Sequence, residues 1–314
     1  MEFSVRAIEL LTPRVKTFDL APAGNDELPV AAPGAHVRLR VRDRMGVPCE
    51  RAYALCNRPG EGVWRIAVQF EPEGRGGSRF LHESVRVGDR LQGSGPHASF
   101  ALVANAEEHL LIAAGIGIAP IFAMACALAA KRQSFAVHVG GASLDDLPLA
   151  EALQAVAKER AHLHVGGAMP YAVILGQPGP GRHAYVCAAD PIIAAVREAA
   201  AAAGWAASHL HIERLVTPEP RSDDRPVEVV LARSGRSLTV PADGSILDAL
   251  IDAGLQPPCD CRRGACGTCV LPVLEADGGV DHRDSYLTAK EREDGKRICV
   301  CVSRPKGGRL VLDL

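Results

Sequence analysis

Between residues 36 and 42 the chain alternates Val37, Leu39 and Val41 with Arg38, Arg40 and Arg42. A period of two is that of a strand with one face buried and one in water. Shorter runs of this kind fall at 51–55, 64–70 and 90–92, divided by Gly- and Pro-rich turns. Several short strands at such spacing predict a small antiparallel barrel over the first hundred residues.

The pattern changes near Glu107. Short apolar runs at 109–113, 135–139, 162–165 and 184–187 alternate with helical stretches, which predicts βα units and a parallel sheet. One helix is expected over 121–130, with Pro120 at its first position and Lys131 and Arg132 at its negative end. Asp190 and Pro191 read as N-cap and first turn of an Ala-rich helix that Gly204 stops. Residues 216–226 are rich in Pro, Asp, Arg and Ser and read as an exposed linker. Beyond them lie β runs at 227–231 and 237–240 and a helix near 246–253, the order of a mixed sheet with one packed helix. The predicted division is 1–105, 106–216, a linker at 217–226, and 227–314.

Composition narrows the function classes. A length of 314 residues suits two or three domains, and 47% hydrophobic with 23% charged residues is ordinary for a globular protein. A net charge of -2 gives no reason to expect nucleic acid or a membrane surface as partner. No apolar run reaches a membrane span, and the charged N-terminus leaves no room for a signal-peptide core. Ten cysteines in such a chain suggest reduced thiols and metal ligands rather than disulfides, and a cytoplasmic location.

The chemistry is concentrated near the C-terminus. Cys261, Cys266 and Cys269 are spaced C-x4-C-x2-C, with Cys299 and Cys301 about thirty residues on. Three close thiols and a distant fourth are the pattern that holds a plant-type [2Fe–2S] cluster. Structural zinc usually takes two short cysteine pairs, and one stands here. Gly264 and Gly267 let the loop wrap until backbone N–H groups reach sulfur. Cys299 gives the x29 gap of many ferredoxins. Cys301 opens Cys301-Val302-Ser303-Arg304-Pro305, similar to the C-V-x-x-P after the last ligand in those proteins. In a strand both thiols face the same side; Cys301 is taken as the fourth ligand. Arg262 and Arg263, inside the loop, are expected to point to water and are candidates for docking a partner.

Two segments of the barrel suggest a flavin. In Arg51-Ala52-Tyr53-Ala54 a fixed cation and an aromatic ring share one strand face, suited to a phosphate and an isoalloxazine. Gly74-Arg75-Gly76-Gly77-Ser78 precedes a helical stretch at 79–85, where freed N–H groups can cradle a phosphate. In the second domain, Gly115 and Gly117 lie between a strand and a helix, where a backbone can approach a dinucleotide pyrophosphate. Cys187, Ala188, Ala189 and Asp190 occupy the corresponding end of another strand.

In this order the motifs resemble those of the phthalate dioxygenase reductase family over essentially the whole chain. Arg51 to Ala54 is similar to its R-x-Y-S flavin motif, Gly76-Gly77-Ser78 to its flavin-phosphate turn, and Gly115 to Pro120 to G-I-G-I-T-P. Cys187 is similar to the cysteine of the C-G-P nicotinamide motif. Asp281-His282-Arg283-Asp284 and the tail 309–314 also look like the family's. The resemblance implies a flavin-binding β-barrel, an α/β NAD-binding domain and a C-terminal α+β β-grasp ferredoxin. It implies electron passage from NADH through FMN, rather than FAD, and a [2Fe–2S] cluster to a terminal Rieske-type oxygenase. NADH is expected over NADPH because Asp145 and Asp146 suit a ribose hydroxyl and repel a 2′-phosphate. The departures are Ala54 for the serine beside the flavin, Ala114 for a glycine, Ala188 and Ala189 for Gly-Pro, and the loss of both aromatics in His211-Ile212-Glu213-Arg214-Leu215. They motivate an alternative: an electron carrier or docking module whose flavin and nicotinamide sites have decayed.

Overall fold

The computed structural model describes residues 1–24, 26–98, 100–215, 220–259 and 261–314, the side chain of residue 289 apart. The chain forms two units, Met1–Leu215 and Val216–Leu314.

The arginine-bearing strand of the first unit lies in a six-stranded antiparallel sheet. Its elements are β1 (Glu2–Thr12), β2 (Val15–Pro22), β3 (His36–Arg42), β4 (Pro48–Ala54), β5 (Trp64–Gln69), α1 (Gly77–Glu83) and β6 (Arg90–His97). The order is β4-β3-β6-β1-β2-β5, and a bridge between Leu55 and Ile66 closes it into a barrel. Val37, Leu39 and Val41 are buried inside with Phe3, Phe18, Leu20 and Ile66, so the period-two pattern of β3 is realised. Arg65 of β5 grips Asp19 of β2 through two hydrogen bonds of 2.6 and 2.7 Å, fixing the register where the apolar pattern is weak.

The second half of this unit holds β7 (Glu108–Ala114), α2 (Ile118–Ala130), β8 (Ser134–Gly141), α3 (Ala150–Ala157), β9 (Ala161–Val165), α4 (Tyr171–Leu175), β10 (Arg182–Ala188), α5 (Asp190–Ala202) and β11 (Leu210–Arg214). The sheet is parallel, in the order β11-β10-β7-β8-β9. The chain runs outward from β7 to β9, then crosses to β10 on the other side. The gap between the C-terminal ends of β7 and β10 is thus a topological switch point, where open α/β sheets bind ligands. Leu110, Leu111, Ile112 and Ala113 are buried on both faces, as expected for central parallel strands. Almost all of α2 is buried, in a cluster that joins Leu111, Val137 and Cys187 to Val15, Cys56, Ala67 and Phe100 of the barrel half.

Two helix starts differ from the sequence reading. α2 begins at Ile118, so Pro120 is its third residue. Its missing N–H falls among the first-turn donors that have no intrahelical partner, which is why it is tolerated there. α5 begins at Asp190 itself, and Ala189 is the N-cap, with no side-chain cap. Asp190 instead pairs with Arg214 of β11 at 2.7 Å.

The second unit is built from β12 (Val227–Leu231), β13 (Arg236–Val240), α6 (Ile246–Asp252), β14 (Val270–Ala276), β15 (Val280–Asp281), α7 (Ala289–Asp294), β16 (Arg297–Cys299), β17 (Arg304–Pro305) and β18 (Arg309–Leu312). Its main sheet is mixed, β13-β12-β18-β14-β16, with β12 and β18 parallel. Ile246, Leu247 and Leu250 of α6 pack into its core. Ser245 caps this helix by accepting from the Asp248 N–H at 3.0 Å.

The expected linker is not exposed throughout. Residues 217–219 lie outside the described residues, but the segment after them is fastened to the ferredoxin-like core. Arg283 donates to Asp224 (2.7 Å) and Asp281 (2.8 Å), and Arg221 also reaches Asp281 (3.1 Å). Buried Arg304 donates to the carbonyls of Arg225, Pro241 and Gly244. The described part of the segment is exposed, as its composition indicated, except at Asp224, whose carboxylate is drawn into the clamp. Among the described residues no helix is long and apolar enough to cross a membrane.

Candidate functional site

The cysteine loop follows α6 and leads into β14. The N–H groups of Arg263 and Ala265 donate to Cys261 Sγ at 3.3 and 3.4 Å, so the backbone wraps toward sulfur as the glycines suggested. Gly264 and Gly267 both have positive φ, +71° and +74°. A Cβ on Gly264 would stand 2.6 Å from Val302, and one on Gly267 would enter the Tyr286 ring. Glycine is required at both positions by conformation and by space.

The thiols gather in two groups. Cys261 and Cys266 share a proton, which lowers Cys266 and, with burial, raises Cys261. Cys269 is lowered by sharing with Cys299 and Cys301, and its Sγ lies 3.2 Å from that of Cys301. Among the described residues no three His, Cys, Asp or Glu side chains are already closed around one metal position. The donor set nevertheless fits an iron–sulfur cluster: soft sulfur donors on one wrapped loop, with amides aimed at sulfur.

The arginines of the loop are corrected. Arg262 is exposed but pairs with Asp248 of α6 at 3.1 Å, and Arg263 is half-buried. Arg262 is thus engaged by the helix, and Arg263 is drawn partly out of solvent.

In the barrel, Arg51 and Tyr53 occupy the same side of β4, as read from the sequence. The opening of α1 is pressed against them: a Cβ on Gly77 would meet Arg51 Cγ at 2.9 Å and Tyr53 Oη at 3.1 Å. Gly76 has φ +93° and lies against the backbone of Asp43 and Arg44. The two flavin motifs, more than twenty residues apart in the chain, therefore form one wall. Burial pushes the Tyr53 hydroxyl upward, against the opposing effect of Arg51. Arg51 donates to the carbonyl of Glu50 at 2.8 Å. Ser78 Oγ accepts from the Glu71 N–H at 3.1 Å, stitching the turn to the start of α1. Such a wall of cation, ring, hydroxyl and helix-start glycines can hold a flavin phosphate and ring.

At the switch point, Gly115 (φ +53°) and Gly117 form a short 3-10 turn between β7 and α2. Gly117 lies against the carbonyl of Cys187, at the end of β10, with no room for a Cβ. Cys187 is fully buried, and Ala54 packs against the same cluster. Cys187 of the parallel sheet and Ala54 of the barrel thus share one hydrophobic junction. The acidic turn expected to meet a ribose also stands here, for the nearest atom to a Cβ on Gly115 is the carbonyl oxygen of Asp146, at 3.9 Å. The Asp146 carboxylate is occupied by a capping box with Ser143, accepting from its N–H and hydroxyl at 3.1 and 2.9 Å. Asp145 remains exposed.

Residues 229–306 match the 2Fe-2S iron-sulfur cluster binding domain. The carnitine monooxygenase reductase subunit of Escherichia coli (strain K12) is 37% identical over 319 residues, covering 100% of this chain and 98% of that protein. The vanillate O-demethylase oxidoreductase of Pseudomonas sp. is 35% identical over 322 residues, covering 100% of both. The crystal structure of phthalate dioxygenase reductase, described as a modular structure for electron transfer from pyridine nucleotides to [2Fe-2S], matches at TM-score 0.76 and 30% identity, covering 100% of this chain and 98% of that one. The chain belongs to the phthalate dioxygenase reductase family.

For this reductase the sequence reading missed two residues. Glu213 is buried and in register beside Cys187 across β11 and β10; the signal was a carboxylate two residues before the end of the H-I-E-R-L segment. Asp284, quoted earlier only as part of a resemblance, is a fully buried organiser. It accepts from the N–H groups of Tyr286 (3.1 Å) and Leu287 (2.8 Å) and from Ser303 Oγ (3.3 Å). The adjacent Ser285 N–H donates to the Gly264 carbonyl at 2.7 Å. Asp284 therefore holds the segment that covers the cysteine loop.

Proposed function

We propose that this reductase takes a hydride from NADH, passes electrons through FMN and a [2Fe–2S] cluster, and delivers them singly to a terminal Rieske-type oxygenase. The observation that carries the reading is the common junction of Gly117, Cys187 and Ala54, in a chain that also bears a wrapped cysteine loop with amides aimed at sulfur. The flavin supplies the conversion between two-electron and one-electron chemistry when bound. The protein's part is positional. Arg51, Gly76, Gly77 and Ser78 take the flavin phosphate, and Tyr53 and Ala54 flank its ring. Gly115 and Gly117 admit the dinucleotide backbone, with Asp145 rather than Asp146 available to the ribose and Asp190 spent on Arg214. Cys187 lines the nicotinamide side. Cys261, Cys266, Cys269 and Cys301 hold the cluster. Ten cysteines used as thiols suit a reducing cytoplasm.

An anaerobic visible spectrum before and after NADH tests this, with iron, labile sulfide and the released flavin measured on the same sample. Bleaching of both flavin and cluster absorbance, with two irons and two sulfides per chain and FMN on release, is expected. Stoichiometric zinc, or a flavin that NADH leaves oxidised, would overturn it; the latter result is what decayed sites predict. Released FAD would overturn the choice of FMN alone.

A further inference from the structure

The sequence leaves two cysteines for one remaining ligand position. If β16 ran on to residue 301, two-residue spacing would set the two Cα atoms about 6.7 Å apart on one face. The strand instead ends at Cys299. The N–H groups of Val302 and Ser303 both donate to the Cys299 carbonyl, at 3.1 and 2.9 Å, folding the chain over at once. The pairing of Val270 with Cys299 holds this turn beside the start of β14, next to Cys269. The Val300 N–H between them donates to the Cys269 carbonyl at 3.4 Å, and Cys269, Cys299 and Cys301 lie in one buried cluster.

Their surroundings differ. Cys301 Sγ lies 3.2 Å from Cys269 Sγ. Cys299 is completely buried in the same apolar cluster, at the end of β16.

Resting on the cluster assignment above, we propose that Cys301 is the resident fourth ligand and Cys299 a reserve ligand that can take its place. When Cys301 is lost, the Cys299 thiol gives its proton to solvent and its sulfur bonds the iron that Cys301 has left. No electron is transferred in this exchange. A second thiol within reach converts ligand loss from cluster release into substitution.

The test uses full-length flavin-loaded protein carrying Cys299→Ala, Cys301→Ala, Cys301→Ser, and Cys299→Ala combined with each Cys301 variant. Iron and sulfide content and the EPR spectrum of the reduced cluster are the readouts. Cys299→Ala should keep two irons and the wild-type spectrum. Cys301→Ala and Cys301→Ser should share one altered spectrum, because the same sulfur serves both, and Cys299→Ala added to Cys301→Ala should abolish it. The proposal fails if Cys299→Ala alone loses the cluster, or if both Cys301 variants lack it while their flavin is still reduced by NADH. It also fails if only Cys301→Ser retains a cluster, since oxygen rather than Cys299 would then be the ligand. Wild-type protein without two irons and two sulfides would instead remove the cluster assignment itself.

Discussion

Replacing Gly117 with alanine isolates the close approach of the turn after β7 to the end of β10. Its φ of -59° is ordinary for alanine, so no backbone penalty enters and the effect is purely one of space. The added methyl would stand 2.8 Å from the carbonyl carbon of Cys187 and closer still to its oxygen. Both are backbone atoms of a central parallel strand, paired on one side with β7 and on the other with β11. The strand cannot yield, so the turn must back away by about 1 Å, on the order of a C=O bond length. Overpacking of this kind costs about 1–3 kcal/mol, which for a unit of this size lowers Tm by roughly 2–12 °C. A displacement of about 1 Å in a positioning element slows a reaction on the order of 100-fold. Stopped-flow reduction of the flavin by NADH under anaerobic conditions measures this directly, with dithionite reduction of the cluster as the unaffected control. Gly115→Ala supplies the contrast. Nothing lies closer than 3.9 Å to its Cβ, but φ is +53°, so it should cost about 1–2 kcal/mol of stability with a much smaller loss of rate. A Gly117→Ala protein with wild-type Tm and wild-type flavin reduction would refute the steric reasoning.

Three further outcomes are expected. Arg51→Ala removes a charge-assisted phosphate contact of about 1.5–3 kcal/mol, so flavin should bind roughly 10- to 150-fold more weakly in equilibrium dialysis; full flavin retention on dilution would exclude Arg51 as a phosphate ligand. His138 and His211 are held neutral, lowered to about 4, chiefly by burial and then by neighbouring histidines. Because these folded-state values lie below the unfolded 6.5, the associated stability is present above pH 6.5 and lost as pH falls toward 4. After solvent screening this is about 1–2 kcal/mol each, and His138→Gln combined with His211→Asn should flatten the fall of Tm between pH 7 and 5; an unchanged slope would count against it. Asp224→Ala should open the clamp and expose the Arg221–Ser222 bond to trypsin, while NADH reduction of the flavin stays at the wild-type rate; equal digestion of both proteins would show that the clamp does not hold the segment.

What could be read from the sequence was local or periodic. The Val/Arg alternation of β3, the apolar runs of β7 and β10, and the cysteine spacing each carry their information within a few residues, and the structure realises the predicted fold class. What could not be read depends on distant partners. Gly77 is explained by Arg51 and Tyr53, and the clamp joins Asp224 to Arg283 across the whole ferredoxin-like unit. The fate of Cys299 and Cys301 turns on a strand that ends at Cys299, two residues short of Cys301, which alternation cannot reveal because both readings fit the same residues. Composition indicated the exposure of 221–226, but it could not show the clamp, because the partner that draws Asp224 inward, Arg283, lies far along the chain.

The departures from the family motifs bear on whether the flavin and nicotinamide sites have decayed. Ala188 stands where the motif has glycine, yet it is fully buried and extends β10, paired with Arg214 of β11. Ala114 likewise ends β7 with ordinary extended geometry, φ -137° and ψ 136°. Neither position carries the positive φ or close approach that would demand glycine, so alanine costs nothing there. Gly115, Gly117, Gly76 and Gly77 are the positions where conformation or space does require glycine, and all four remain. A site losing its function would drift at the constrained positions as readily as at the tolerant ones. Here the changes fall where a methyl fits, and the backbone that must approach phosphate and nicotinamide is intact. Ala54 is different in kind, since it removes a hydroxyl rather than adding bulk. Its methyl packs against the buried cluster that contains Cys187.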